Sequence, residues 1–215
     1  MPLPERVFNT LLGLSIISWA ILGFVSNEHP RPTAVRVCIA SLHLTVAIFI
    51  LIRGSVRTSG SLTACLAAMP AVLIGGWAFV YSPEHWTIAS QVILILGTAV
   101  AITSVCWLGK SFAILPALRQ VVRSGPYRLI RHPIYLGELL MVCGCSFAEI
   151  DWPGFLIVCG AITFIVVRIR VEENLLGTTN EYLEYREKVK WSSPRPLVAT
   201  RSELTYSTPT ESRAS

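Results

Sequence analysis

The sequence has little charge for its length. Charged residues make up 14% of its 215 residues and hydrophobic residues 53%, whereas soluble domains carry about 25% charged residues. This composition excludes an ordinary water-soluble domain. Several enzyme motifs are also absent, because the sequence contains no GxGxxG, no HExxH and no GxSxG. We therefore expect neither a dinucleotide-binding Rossmann domain nor a zinc-dependent or serine hydrolase mechanism.

The six cysteines have no spacing that suggests metal binding or redox chemistry. None forms a CxxC pair, which is a common sign of a zinc or dithiol site. All lie within apolar runs, where cysteine usually serves as a small packing residue. We expect packing roles, and no metal, for Cys38, Cys65, Cys106, Cys143, Cys145 and Cys159.

Long apolar runs are what the sequence has in place of charge. Each is close to the roughly 20 residues that a helix needs to cross the hydrocarbon core of a bilayer, although the last two are short. The runs cover residues 8–26, 34–52, 62–81, 88–109, 134–150 and 153–167. This pattern predicts an all-α, polytopic integral membrane protein with about six transmembrane helices.

The basic residues are distributed very unevenly between the two sides of the predicted membrane. If the N-terminus is cytoplasmic, sixteen of the 18 lysines and arginines lie on the cytoplasmic side, and only Arg31 and Arg36 lie outside. Such a bias is the usual sign of membrane orientation. The net charge of +5 is explained in this way without a nucleic-acid partner. We expect both termini in the cytoplasm and, by default, a bacterial inner membrane.

The composition divides the chain into three parts. Residues 1–109 hold four apolar runs with short connectors, and residues 110–199 hold a basic loop, a helical hairpin and a polar continuation of the last apolar run. That continuation keeps good helix formers, so the helix should emerge into the cytoplasm. A second polar helix is expected from Asn180. Residues 200–215 are rich in Ser and Thr and are predicted to be disordered.

The basic loop ends at a possible anion-binding helix mouth. Pro133 suits the first position of a helix and forces His132 out of the α conformation, so His132 should stand where unpaired amides favour an anionic group. The alternative is that this segment supplies only a basic collar and aromatic anchors. The residues concerned are Tyr127, Arg128, Arg131, His132 and Tyr135. From these residues alone, both interpretations stay open.

A second cluster follows the last apolar run. The spacing of four puts Arg168 and Glu172 on one helical face, where they could form an ordinary ion pair. Two observations favour a functional role instead. The basic residue precedes the acidic one, which is the less favourable order. In addition, Arg168 directly follows apolar residues, where an arginine is costly near hydrocarbon.

Taken together, these motifs resemble the isoprenylcysteine carboxyl methyltransferase family, which has phospholipid methyltransferase relatives. The resemblance covers about residues 105–195 and rests on four elements. These are Gly125-Pro126-Tyr127, Arg131-His132-Pro133-x-Tyr135-x-Gly137, Arg168-x-x-x-Glu172-Glu173 and Tyr182-x-x-Tyr185. The chain departs from the family at Arg119, where histidine is frequent, and in a shorter stretch that ends at Asn180.

The resemblance implies S-adenosylmethionine as the methyl donor and a methyltransferase region at residues 110–199. It implies that Glu172 contacts the donor and that Arg168 binds the substrate, so these two would be the catalytic residues. The other residues that it implies for the donor are Arg119, Gln120, Val121, Val122, Tyr127, His132, Pro133, Ile134 and Tyr135.

The nature of the methyl acceptor is predicted from the available side chains. A carboxylate is already ionised at pH 7, whereas an amine must lose a proton first, and arginine suits a carboxylate. We therefore favour O-methylation of a carboxyl group on a lipophilic substrate from the bilayer, such as a prenylated cysteine. One alternative is N-methylation of a lipid amine, assisted by Glu138 or Glu173. Another is a transporter or structural protein that only contacts membrane lipids.

Overall fold

The computed structural model describes residues 3–25, 31–53, 58–59, 61–80, 85–115, 117–118, 120–148 and 151–189. Arg119 and the predicted disordered segment 200–215 lie outside them. Within the described residues the chain is almost wholly helical, as the apolar runs predict. Its α-helices are α1 (Leu3–Val25), α2 (Thr33–Ile52), α3 (Leu62–Val80), α4 (Ile88–Leu108), α5 (Pro133–Ser146), α6 (Trp152–Leu176) and α7 (Asn180–Lys188).

Local signals explain where several of these helices begin. The side chain of Thr87 accepts a hydrogen bond from the amide of Ser90 and caps α4, and Asp151 caps α6 by accepting from the amide of Gly154. Pro133 is the first residue of α5, as predicted. Helix α6 is 25 residues long and passes well beyond the apolar run, which confirms its polar continuation.

Four helices are long and apolar enough to cross a membrane. They are Arg6–Val25, Thr33–Ile52, Ile88–Ser111 and Trp152–Leu176. The other two apolar helices are shorter in the described part of the chain, with Leu62–Ile74 in α3 and Pro133–Ser146 in α5. The structure therefore supports an α-helical integral membrane protein, with four helices in the described residues that are long enough to span the bilayer. The lengths of the two shorter helices do not confirm the prediction of six spans.

Helix α5 lies at the centre of the bundle. It packs against α3, α4 and α6, while α2 packs on α4 and α1 packs on α2. The contact between α4 and α5 is the most extensive one, and glycines make it possible. A Cβ atom on Gly137 would lie 2.8 Å from the backbone nitrogen of Ala101 and 2.8 Å from the carbonyl oxygen of Gly97. The two backbones can approach this closely only without side chains at these positions.

Three connections bring the polar ends of the helices to one end of the bundle. The two-residue strand β1 (Thr58–Ser59) pairs antiparallel with β2 (Ala117–Leu118), so the loop after α2 meets the loop after α4. The guanidinium of Arg53 donates to the side-chain oxygen of Asn9 near the start of α1. The α4–α5 loop, the end of α6 and α7 meet at this same end, where the candidate site lies.

Candidate functional site

The loop between α4 and α5 is shaped by residues that the sequence marks as turn formers. Gly125 has a φ of 59°, and the ring of Trp107 lies where a Cβ atom on Gly125 would be. Gly125 begins a short 3-10 helix, Gly125–Arg128, which buries Tyr127 against α4. His132 has φ −128° and ψ 60°, outside the α conformation, so its ring stands at the mouth of α5 as predicted.

Two neighbouring carboxylates of α6 face the ring of His132. Nε2 of His132 lies 3.2 Å from Oε1 of Glu173, and Nδ1 lies 3.9 Å from Oε2 of Glu172. Oε1 of Glu173 is also 3.3 Å from Nη2 of Arg131. The side chains of Arg131, His132 and Glu173 are all less than one-tenth exposed, so the charges of Arg131 and Glu173 are held away from water and depend on one another.

Glu172 makes a different set of contacts. The hydroxyl of Tyr135 donates to its Oε1, and Nε of Arg168 lies 3.8 Å from the same oxygen. The pairing of Arg168 with Glu172 on one helical face is therefore as the spacing of four predicts. Arg168 also stacks over the ring of Tyr135 at 4.9 Å from its centroid and donates from Nη2 to the carbonyl oxygen of Ile114.

An open cleft of about 730 Å³, including its mouth, lies between these charged residues, the loop and α7. Six of the residues that the resemblance implies for the donor line it, namely Gln120, Val121, Val122, Tyr127, His132 and Glu172. Pro133, Ile134, Tyr135 and Arg168 are not among the residues that line it, and Arg119 is outside the described residues. The cleft thus brings together residues of the loop, which ends at His132 before α5, with residues of α6 that are far apart from them in sequence.

The cleft has further wall residues that the sequence prediction did not assign to the site. Tyr182 and Tyr185 come from α7, and Arg131 comes from the loop. The paired tyrosines and Arg131 belong to the motifs quoted above, so the resemblance marked them without giving them a role. The apolar part of the wall contains Leu108, Leu115, Leu175 and Leu176, which carry no signal beyond hydrophobicity.

The tyrosines at the cleft are neutral hydrogen-bond donors at ordinary pH. Burial raises the pKa of Tyr185 to about 12 and holds the pKa values of Tyr127 and Tyr182 still higher. The hydroxyl of Tyr185 donates to the carbonyl oxygen of Tyr127 at 2.6 Å, and that of Tyr127 points to the carbonyl oxygen of Ser104 at 3.4 Å. These bonds link α7 to the loop and the loop to α4.

Comparisons with known proteins give consistent results. The sequence pattern of the phospholipid methyltransferase family matches residues 84–180. Protein-S-isoprenylcysteine O-methyltransferases B and A from Arabidopsis thaliana are each 28% identical to this chain over 131 residues. Each alignment covers 52% of the chain and 61% of the relative, so less than two thirds of the length of these relatives is matched. No solved structure matches the chain.

The matched residues contain α4, the loop and α6, which contribute to the cleft wall, and α5, which begins directly after His132. Tyr182 and Tyr185 on α7 lie just beyond them. The resemblance stated from the motifs is thus confirmed, and the chain is similar to the phospholipid methyltransferases and to their isoprenylcysteine carboxyl methyltransferase relatives.

Proposed function

We propose that this protein is an S-adenosylmethionine-dependent membrane methyltransferase that methylates the carboxyl group of a lipophilic substrate. The observation that carries the proposal is the position of Arg168. This buried arginine contacts Glu172 on the cleft wall but does not itself line the cleft. The substrate would therefore bind on the Arg168 side of Glu172, and the donor would bind on the cleft side. The substrate would be admitted from the bilayer and the donor from the cytoplasm.

The residues around the cleft fit such a donor. One part of the wall carries charges of both signs on Arg131 and Glu172, together with the ring of His132, which suits a zwitterionic amino-acid group. The rest is mainly apolar, with Val121 and Leu176 among its residues, which suits a flat nucleoside base. The donor supplies a methyl group on a positively charged sulfur, which a carboxylate oxygen can attack in line.

The protein's contribution to this chemistry is alignment and charge balance. The planar guanidinium of Arg168 is held by stacking on Tyr135 and by its bond to Ile114, so a carboxylate that reaches it meets a fixed fork. A carboxylate needs no base at neutral pH. Glu173, which could otherwise serve as a base, is already engaged by Arg131 and His132.

A lipid amine is the second candidate acceptor. It is favoured by the match to the phospholipid methyltransferase family and by Glu138, which lies on α5 within electrostatic range of Arg168. The two acceptors give chemically different products, because an ester is cleaved by base and a methylated amine is not.

The proposal is tested by incubating the purified protein with labelled donor and a membrane extract and then treating the labelled product with base. We expect a base-labile product. Arg168→Lys should reduce its formation by roughly ten to a hundredfold, or about 1.4 to 2.7 kcal/mol, because lysine cannot reproduce the two parallel hydrogen bonds of arginine. Donor affinity should change little.

Arg170→Lys is the matched control, because Arg170 is exposed on the same helix and contributes nothing to the cleft wall. It should methylate at the wild-type rate. A base-stable product would favour the amine acceptor, and a protein that neither binds nor uses the donor would contradict the methyltransferase proposal itself.

A further inference from the structure

Tyr182 lies in the wall of the cleft and carries a buried hydroxyl that the protein contacts do not explain. Tyr182 is 2% exposed, and its buried hydroxyl has no hydrogen-bond partner among the described residues. A buried tyrosine hydroxyl usually finds a partner, because leaving it unsatisfied costs about 1 to 3 kcal/mol. The side chain nevertheless forms part of the cleft wall, so a bound molecule could supply the missing partner.

Tyr185, one turn further along α7, shows what a structural tyrosine does at this position. Its ring lies 5.9 Å from that of Tyr182, and its hydroxyl is satisfied by the carbonyl oxygen of Tyr127. Both rings belong to one buried cluster with Tyr127 and Val189. Packing therefore explains why both rings are buried. A protein hydrogen-bond partner explains the hydroxyl of Tyr185 but not that of Tyr182.

The surroundings of Tyr182 indicate which kind of group would accept its hydrogen bond. The charged groups within electrostatic range of its hydroxyl are Glu173, Arg131 and Glu172. The two carboxylates already receive contacts from Arg131, His132 and Tyr135. An anionic ligand group would meet both a neutral donor, Tyr182, and a cation, Arg131, which is the combination that holds carboxylates.

We infer that the hydroxyl of Tyr182, together with Arg131, binds the carboxylate of the amino-acid end of S-adenosylmethionine. This inference rests on the proposed function and adds α7 to the binding site. The apolar part of the cleft, with Val121, Val122 and Leu176, is then left for the nucleoside. Tyr182 is a binding residue in this arrangement, and Tyr185 holds α7 against the loop.

The inference is tested with the full-length protein in detergent and two ligands that share a nucleoside. S-adenosylhomocysteine has the amino-acid end, and methylthioadenosine lacks it. Tyr182→Phe removes only the hydroxyl, so it should weaken binding of S-adenosylhomocysteine roughly tenfold, as expected for a hydrogen bond to a charged group. Affinity for methylthioadenosine should stay within about twofold. Calorimetry or competition with labelled donor measures both.

Stability distinguishes a binding role from a structural one. Without ligand, Tyr182→Phe should melt at the wild-type temperature or above it, because the hydroxyl it removes has no described protein partner. Tyr185→Phe is the matched control. It should lower the melting temperature, since it removes the bond to Tyr127.

Each of the other possible results would contradict the inference, and each would point to a different explanation. Equal weakening of both ligands would assign Tyr182 to the nucleoside, and unchanged affinity for both would leave its hydroxyl without a role in binding. A lower melting temperature for Tyr182→Phe would make that hydroxyl structural. Failure of the wild-type protein to bind either ligand would instead remove the proposed function, on which the inference depends.

Discussion

His132 is held between two neighbouring carboxylates, and each of these carboxylates has a different second partner. Glu172 faces the cleft and pairs with Arg168, whereas Glu173 is absent from the cleft wall and pairs with Arg131. Neighbouring side chains on a helix point about 100° apart. Because of this rotation, Glu172 is accessible to a ligand in the cleft, whereas Glu173 balances the charge of Arg131 at the start of α5.

The two glutamates should therefore respond differently to loss of charge. Glu172→Gln should weaken binding of S-adenosylhomocysteine more than Glu173→Gln does, because only Glu172 lines the cleft. Glu173→Gln should mainly reduce stability, by about 1 to 3 kcal/mol, because the buried Arg131 loses its ionic partner. Calorimetry and thermal melts of both variants measure this division. The reverse order of affinities would show that Glu173 is the one that faces the ligand.

At this scale, only the local part of the site could be predicted from sequence. Arg168 and Glu172 are one helical turn apart, so their pairing follows from the helix period. The pairing of His132 with Glu173 joins residues 41 positions apart and depends on how α6 packs against the loop. The sequence therefore leaves two possible roles for Arg131 and none for Tyr182, because it does not show that α7 lies against the cleft.

Helices α4 and α5 position the site through a contact that has no room for side chains. His132 and Pro133 stand at the start of α5, and Gly137 follows one turn later against Gly97 of α4. A shift of α5 would move the ring of His132 relative to the carboxylates of α6. The glycine of the Arg-His-Pro-x-Tyr-x-Gly motif is therefore explained by packing.

Gly137→Ala should destabilise the protein by about 1 to 3 kcal/mol, because its Cβ atom would lie 2.8 Å from backbone atoms of α4. Gly23→Ala is the control, since nothing lies within 4 Å of the corresponding Cβ atom and alanine is the better helix former. Thermal melts in detergent should show a lower melting temperature for Gly137→Ala alone. Equal melting temperatures would mean that α4 and α5 are further apart than described.

The helix boundaries were largely predictable because their signals are local. Prolines and capping residues mark the starts of α5 and α6, and the apolar runs give the lengths of α1, α2 and α4 to within a few residues. The end of α5 was not predictable in this way. The apolar run extends to 150, but the helix ends at Ser146, and neither a glycine nor a proline follows directly to mark this end in the sequence.

At the scale of the molecule, the basic residues whose contacts the structure describes lie toward two ends. Contacts join Arg53 to the start of α1, the loop after α2 to the loop after α4, and Arg123 to Glu184 of α7. All of these lie at the cleft end. Arg36, one of the two remaining basic residues, donates to the carbonyl oxygen of Phe24 near the end of α1, so it belongs to the opposite end. For these described residues, the two groups that the sequence predicts lie at different ends, and which end faces the cytoplasm stays a prediction.

We predict that the cleft end faces the cytoplasm, because it carries the excess of lysine and arginine. Reporter fusions placed after Lys110 and after Lys190 should give cytoplasmic signals, and a fusion after Glu28 should give a signal from the other side. A signal from the non-cytoplasmic side after Lys190 would contradict this orientation. The charge count predicts the orientation. The fold adds that the loop after α2 and the loop after α4 meet at one end of the bundle.

The shortness of α5 has a consequence for the lipid around the protein. Its 14 residues rise by about 21 Å, whereas the hydrocarbon core is about 30 Å thick. Such a hydrophobic mismatch is relieved when the bilayer thins locally or when one end of the helix sits below the head groups. If the end that sits below the head groups is the mouth of α5, His132 comes closer to the level of the acyl chains. A lipid-borne carboxyl group could then approach Arg168 with little vertical displacement, and the thickness of the host membrane would influence how easily it does so.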